Sequence, residues 1–203
     1  MRQLRAGLAY LLLASFAAPA LAGKVTTAPG KYKEWGEDDI DELEVVETFK
    51  FADYKDGVSV ATLDVSKAPP GEGKEAKNVQ EALAGVDKAF LDGVKKGLGS
   101  FSKGTSVQAG TPTGKALLIK ATVIELNPGS KGARMGVGLG AGAAKAILMG
   151  EIVDAGTGKV LLRFNHEKRA GSGMGWGGGN SMKLMLKGAE HVGEAIGKAF
   201  KAF

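Results

Sequence analysis

The chain has 203 residues, a formal net charge of +5 and no cysteine. This length is typical of one domain, and the absence of cysteine excludes disulfides, thiolate metal sites, thiol nucleophiles and a lipid attached to cysteine. The positive excess is small and dispersed, which argues against a nucleic-acid partner, because nucleic-acid-binding proteins cluster Lys and Arg on one face.

The first 22 residues have the pattern of a cleavable export signal. Arg2 and Arg5 form a basic start, an apolar stretch follows over residues 8–18, and the sequence Ala-Leu-Ala ends at Ala22. The apolar stretch is shorter than the ~20 residues that a membrane-spanning helix needs. The pattern predicts a signal peptide over 1–22, a periplasmic or secreted location and no transmembrane span after cleavage; a retained N-terminal anchor is the alternative.

Residues 23–44 are predicted to form a flexible acidic leader, and residues 45–203 a single α/β domain. Between residues 34 and 47 the sequence has eight acidic residues and no Lys or Arg. Such a tract is typical of a solvated surface. A docking patch for a basic partner or for divalent cations is the alternative.

Two-residue alternation predicts strands over 45–52, 58–65, 116–126, 143–154 and 159–167. The last two are predicted to form a hairpin around the turn at residues 154–159, where Asp154 can accept bonds from turn amides. The same turn sequence is similar to a phosphate loop of actin-like ATPases, which is the alternative. We expect the rest of the chain to pack around this hairpin.

Apolar residues at steps of three and four predict one helix beginning near residue 76, with a capping box at Asn78 and a stop at Gly97 and Gly99. A second helix is predicted after Asn180 or Ser181, with a ridge of small residues that permits close approach to another backbone. The predicted fold class is α/β (α+β): two layers, with a mainly antiparallel sheet of about five or six strands and the two amphipathic helices on one face.

Two glycine clusters bracket the predicted hairpin. The first, over residues 132–142, lacks the register of a dinucleotide-binding loop, which needs G-x-G-x-x-G between a strand and a helix. Two structures are possible for this cluster. It can form a glycine zipper on a helix, or a strand or loop whose glycine backbone lies directly against another element. The second, over residues 171–179, is predicted to be a mobile loop around Trp176.

No catalytic constellation, cofactor-binding motif or metal-ligand set emerges from the sequence. The two histidines, His166 and His191, lack further ligands at metal-binding spacing. The candidate residues for binding a partner or an anion lie in or beside the glycine clusters: Arg134, Lys145, Arg169 and Trp176.

Several motifs follow one another in a characteristic order: GSKGAR at 129–134, the spaced glycines at 136–142, VDAGTGKV at 153–160, a glycine-rich loop and VGEAI at 192–196. In this order, over about residues 45–203, the chain resembles the bacterial domain of unknown function 4410 family. The resemblance implies an exported envelope protein without known enzymatic activity. Many similar proteins are lipoproteins, and this chain departs from them by lacking the cysteine.

These observations predict an uncharacterised exported envelope protein that acts as a non-enzymatic binding or assembly module. Its partner is predicted to be an unknown envelope protein or a second copy in a homo-oligomer, with no nucleic acid and no cofactor. The alternative is anion or small-ligand binding, possibly enzymatic, at the glycine-rich loops.

Overall fold

A computed structural model describes residues 25–112, 114–130, 142–170 and 180–203. The described residues form seven strands and two α-helices, along with three short 3-10 helices. In chain order the main elements are β1 (Gly30–Trp35), β2 (Ile40–Val45), β3 (Val58–Val60), α1 (Ala76–Gly99), β4 (Val107–Ala109), β5 (Leu117–Asn127), β6 (Ala144–Asp154), β7 (Val160–Ala170) and α2 (Ser181–Ala199). The 3-10 helices span Phe51–Asp53, Gly73–Glu75 and Phe200–Ala202.

The strands form a single mixed sheet in the order β1-β2-β7-β6-β5-β3-β4. β3 is parallel to both β4 and β5, and the other neighbours are antiparallel. The mainly antiparallel sheet is therefore confirmed, but the number of strands is seven rather than five or six.

Two of the additional strands come from the segment predicted to be a flexible leader. In β2 the acidic Glu42 and Glu44 alternate with Leu43 and Val45, which are almost fully buried. This two-residue alternation places the carboxylates on one face and the apolar side chains in the core. The prediction of a flexible leader is thus wrong for residues 30–44. These residues form a half-buried hairpin in spite of their acidic composition, because the acidic side chains alternate with buried apolar ones.

The predicted strand over residues 45–52 is also wrong. The chain leaves the sheet after Val45 and forms a 3-10 helix at Phe51–Asp53. Phe49 instead stacks on Phe203 with ring centroids 4.7 Å apart, and Phe203 also stacks on Trp35 at 5.9 Å. The aromatic side chains of this segment therefore enclose the C-terminus of the chain instead of extending the sheet.

The β6–β7 hairpin occupies the middle of the sheet, as predicted. Its turn is closed by Gly158 N–H, which donates to Asp154 O at 2.8 Å, and by Thr157 N–H, which donates to Asp154 Oδ1 at 2.8 Å. Gly158 has a φ of +72°, a conformation that glycine adopts without a Cβ clash. The Asp154 carboxylate thus caps the turn amides that a phosphate loop would direct at its ligand.

Both helices cover the same face of the sheet and cross each other at backbone contact. A Cβ atom built on Gly93 of α1 would lie 2.0 Å from the carbonyl oxygen of Glu190, and one on Gly193 of α2 would lie 2.3 Å from that of Phe90. Gly97 and Gly197 make the same close approach one turn later. The ridge of small residues on α2 therefore packs on a matching ridge of α1.

The helix ends are only partly as predicted. Asn180 is the N-cap of α2, and its side chain accepts a hydrogen bond from Lys183 N–H. Asn78, in contrast, lies inside α1 and donates to the Glu75 carboxylate. Gly97 also lies inside α1 rather than ending it, because its missing side chain is needed at the helix crossing.

None of the helices in the described part of the chain is long and apolar enough to cross a membrane.

Candidate functional site

One face of the sheet is covered by no helix of the described residues, and we call it the open face. Its side chains alternate with the buried ones along each strand. They mix charged side chains with apolar ones such as Leu118 of β5 and Ile147 of β6. The charges pair across neighbouring strands: Arg163 of β7 donates to Glu44 of β2 at 3.1 Å, and Lys120 of β5 lies 3.7 Å from Glu151 of β6. Met149 of β6 lies among them with 42% of its surface exposed. The face is therefore a mixed-charge surface with an apolar side chain near its centre.

Four charged residues form a continuous row across β5, β6 and β7, which we call the charged cluster. Lys145 Nζ lies 2.8 Å from Glu125 Oε2 and 3.9 Å from Glu167 Oε2. Arg169 Nε donates to Glu167 Oε1 at 2.6 Å. The cluster thus alternates in sign from Glu125 to Arg169.

The electrostatics of the cluster favour the ionised form of Glu125. Partial burial alone would raise the pKa of Glu125, but hydrogen bonds from Lys145 and Asn127 outweigh it and hold the pKa below its ordinary value. Two carboxylates face two cations, so the cluster has no net charge. A free inorganic anion would have to displace a carboxylate to reach either cation.

The charged cluster lies at the end of the sheet that adjoins both glycine clusters. β6 begins at Ala144, soon after residues 131–141, and β7 ends at Ala170, just before residues 171–179. Ala144 and Ala170 are direct partners in the ladder, as are Lys145 and Arg169. Two of the predicted candidate residues are therefore neighbours.

Arg134 and Trp176, the other two predicted candidates, lie outside the described residues, as do the predicted mobile loop at 171–179 and most of the stretch at 132–142. Gly142, the last residue of that stretch, is in a turn with a φ of +74°.

A buried histidine and an aspartate form a pair that sequence reasoning missed. His166 of β7 is 1% exposed, and its Nδ1 lies 2.8 Å from Asp41 Oδ2 of β2. The same carboxylate oxygen accepts a hydrogen bond from Glu167 N–H at 2.7 Å. The two-residue period that places Leu162 and Phe164 inward also places His166 inward, and this was the only signal in the sequence.

The environment of the pair keeps His166 neutral and Asp41 charged. Burial lowers the pKa of His166, and this outweighs the opposing effect of the hydrogen bond to Asp41. Burial alone would raise the pKa of Asp41, but hydrogen bonds from Glu167 N–H and His166 outweigh it and lower the pKa. Two groups of Asp41 face His166 Nδ1: the carboxylate oxygen at 2.8 Å, which can only accept, and the backbone N–H at 3.3 Å, which can only donate. The carboxylate contact is the shorter one and involves an ionised acceptor, so we assign the hydrogen to Nδ1. His166 Nε2 is then an unprotonated nitrogen, and it has no hydrogen-bond partner among the described residues.

A groove of about 220 Å³ lies beside Trp35, between the β1–β2 turn and the end of α2. Its floor is apolar, formed by Trp35, Ile40 and small side chains of α2. The ion pair between Lys198 and Asp38, 3.2 Å long, lies at its rim. Trp35 Nε1 donates to Thr26 O at 3.0 Å, so the chain before β1 passes along this groove.

In the described ranges, no group of three or more His, Asp or Glu side chains is arranged to hold a metal ion. The model of the family described as "Domain of unknown function (DUF4410)" matches residues 53–173, more than half of the chain. The chain belongs to the DUF4410 family. This confirms the resemblance that the motif order indicates. The DUF4410 match contains the β6–β7 hairpin and the whole charged cluster, whereas β1, β2 and α2 lie outside it.

No curated protein matches this DUF4410 chain. Among solved structures, it is similar to a PelC dodecamer from Paraburkholderia phytofirmans at 13% identity and a TM-score of 0.39, over 73% of this chain and 96% of that one. It is also similar to protein XCC0632 from Xanthomonas campestris, of the family DUF330, at 9% identity and a TM-score of 0.41, over 70% of this chain and 81% of that one.

Proposed function

We propose that this DUF4410 protein is exported to the bacterial envelope and acts there as a non-enzymatic module that binds another envelope protein through the open face of its sheet. The export part is supported by the basic start, the short apolar stretch and the Ala-Leu-Ala ending at Ala22. The binding part is supported by the open face and by the row of alternating charges at the end where the glycine clusters adjoin the sheet.

The charged cluster is the single observation that carries the binding proposal. Ion pairs on a surface contribute little to folding, about 0–1 kcal/mol each, because water screens them. A partner with the complementary charge order can therefore exchange with these pairs at small cost to the fold. Met149, exposed near the centre of the same face, would supply the apolar contact that such interfaces concentrate at their core.

The balance of charge supports a protein partner over a small anion. Lys145 and Arg169 are each engaged by a carboxylate, whereas a phosphate or carboxylate ligand binds most strongly to cations that are free to form charge-assisted bonds. A row of side chains with alternating charges is instead complementary to a protein surface whose charges alternate in the opposite order. The anion alternative then rests on Arg134, which lies outside the described residues.

The export part is tested by the mass of the protein recovered from a periplasmic extract. The expected mass is that of a chain beginning at Gly23, and Ala22→Arg should block cleavage because the signal peptidase requires a small residue there. An unchanged full-length mass in the wild type would refute cleavage. Recovery in the cytoplasmic fraction alone would refute export.

The binding part is tested by a photo-crosslinking amino acid placed at Met149 in living cells. The matched control is the same amino acid at Lys77, an exposed position on α1 in the other layer. We expect a discrete adduct from position 149 only. This adduct should disappear in the Glu167→Lys variant, in which the charged cluster becomes positive. Circular dichroism checks that the variant is folded. Equal adducts from both positions, or none from position 149, would refute the open face as the binding surface.

The identity of the adduct separates the remaining alternatives. A second envelope protein in the adduct supports the proposal, whereas a second copy of this chain would replace it with homo-oligomer assembly. The anion alternative has its own test, the effect of phosphate or another small anion on the melting temperature. A rise that Arg134→Ala removes, together with the absence of the adduct, would favour ligand binding over the proposed protein partner.

A further inference from the structure

The inference concerns the way in which the β1–β2 hairpin is attached to the sheet. This hairpin lies at the edge and pairs with β7 over only four residues of β2, Glu42 to Val45. Where that pairing ends, the Asp41 carboxylate bridges to β7 by accepting from His166 Nδ1–H and Glu167 N–H. These two hydrogen bonds extend the attachment of the hairpin beyond the regular ladder.

We propose that His166 is an acid-sensitive latch: its neutral imidazole fixes the β1–β2 hairpin (residues 30–45) to the sheet, and protonation at Nε2 favours detachment of that hairpin. The proposal stands on the geometry of the imidazole. Its Nδ1–H is committed to Asp41, so an added proton must go to Nε2. That atom is buried without an acceptor among the described residues, and a buried N–H without an acceptor is unfavourable.

The charged groups that face the imidazole act in both directions. Asp41 on β2 and Asp38 in the β1–β2 turn favour the imidazolium, whereas Lys168 on β7 disfavours it. Lys168 Nζ donates to Asp38 O, and Lys198 of α2 pairs with the Asp38 carboxylate, so the influence of Asp38 is largely balanced. The neighbour on β6 is the apolar Leu148. Burial is the largest of these effects, and it acts against the charged form.

The direction of the pH effect follows from proton linkage. The latched state has a lowered pKa for His166, so it binds fewer protons than the detached state, in which the imidazole is solvated. The contribution of neutral His166 to the stability of the latched state is therefore fully present above about pH 6.5. It decreases as the pH falls from there towards the lowered pKa of His166 in the latched state. Asp41 stays ionised in this window because its own pKa is lowered.

Detachment would expose apolar surface. Leu43 and Val45 of β2 are each 1% exposed in the latched state, and Trp35 of β1 forms the floor of the groove beside α2. Acid would thus uncover these side chains together with the part of the sheet that they cover. The inference does not rest on the proposed binding function, because it is argued from the contacts of Asp41 and His166 and not from the side chains of the charged cluster.

The test is amide hydrogen exchange of the purified protein, expressed as protection factors so that the intrinsic pH dependence of exchange is removed. We expect the protection of β2 amides to fall up to tenfold per pH unit between about pH 6.5 and about pH 5. Amides in the middle of α1 serve as the internal reference and should not change in parallel. Constant β2 protection, or an equal fall in α1, would overturn the latch.

Two histidine variants assign the effect. His166→Gln keeps a donor for Asp41 but does not titrate, so its β2 protection should be independent of pH in this window. His191→Gln is the matched control: burial also lowers the pKa of His191 on α2, and this variant should keep the wild-type response of β2. A wild-type response in His166→Gln, or its loss in His191→Gln, would refute the assignment to His166.

A third variant covers the case in which His166→Gln does not fold. Asp41→Ala removes the acceptor on the hairpin while leaving the buried imidazole in place. Protection of β2 and of the Glu167 amide should then already be reduced at neutral pH. Protection equal to that of the wild type at neutral pH would show that the carboxylate does not hold the hairpin.

Discussion

The crossing of the two helices leads to the sharpest prediction about stability, the effect of Gly93→Ala. The added methyl carbon would lie 2.0 Å from the Glu190 carbonyl oxygen and 2.9 Å from Glu194 N. Both are backbone atoms, so no side-chain rotation can relieve the clash, and the helices must move apart by roughly 1 Å. Overpacking of this kind costs roughly 3 kcal/mol, while alanine gains about 1 kcal/mol in helix propensity over glycine.

The net expectation for Gly93→Ala is a loss of about 2 kcal/mol in the free energy of unfolding, or a melting temperature lower by about 4–8 °C for a chain of this size. Gly85→Ala is the matched control, because its methyl group would meet only the Leu186 side chain at 3.4 Å, an ordinary contact. That variant should be equally stable or up to about 1 kcal/mol more stable. Urea titrations followed by circular dichroism measure both, and equal stabilities of the two variants would refute the reasoning.

Three further predictions concern the rest of the molecule. Burial and a hydrogen bond to Asp154 raise the pKa of Tyr54 to about 12. An absorbance titration of the tyrosines should show this ionisation at high pH, and Asp154→Asn should lower its midpoint. The contribution of Tyr54 to the stability of the fold should be present below about pH 10 and lost as the pH rises towards 12. Phe203→Ala removes a ring stacked on both sides and should cost about 2 kcal/mol, with a red shift of Trp35 emission. Glu167→Gln removes two partly exposed ion pairs and keeps a polar side chain of the same size, so it should change the melting temperature by no more than about 3 °C.

The parts of the fold that the sequence predicts are those with a clean local pattern. The strands β5, β6 and β7 are each eleven residues long, and most of their positions alternate between buried and more exposed side chains. The Asp154 turn has the residues that a tight hairpin requires. In the candidate site, the hairpin brings Lys145 close to Arg169, but the turn alone does not predict their direct pairing. The turn pairs Val153 with Val160, and a register shift between Val153 and Ile152 places Lys145 opposite Arg169.

The parts that the sequence did not predict depend on contacts between distant segments. Asp41 and His166 are 125 positions apart, and neither carries a local signal of the other. The carboxylates that neutralise the predicted cations, Glu125 and Glu167, come from two different strands. The sequence predicts a helix end at Gly97 because glycine disfavours helices, a preference that close packing against α2 overrides.

The distribution of interactions supports the proposal that the open face binds a partner. Apolar burial and the glycine crossing lie on the helix-covered side of the sheet, and they stabilise the fold whatever happens on the open face. The ion pairs of the open face are partly exposed, so we expect them to contribute little to folding and to be exchangeable for pairs with a partner. Substitutions there should therefore alter the proposed binding without unfolding the protein, whereas substitutions at Gly93 or Gly193 should destabilise it without any direct effect on that binding. A charge reversal in the cluster that unfolded the chain would contradict this division.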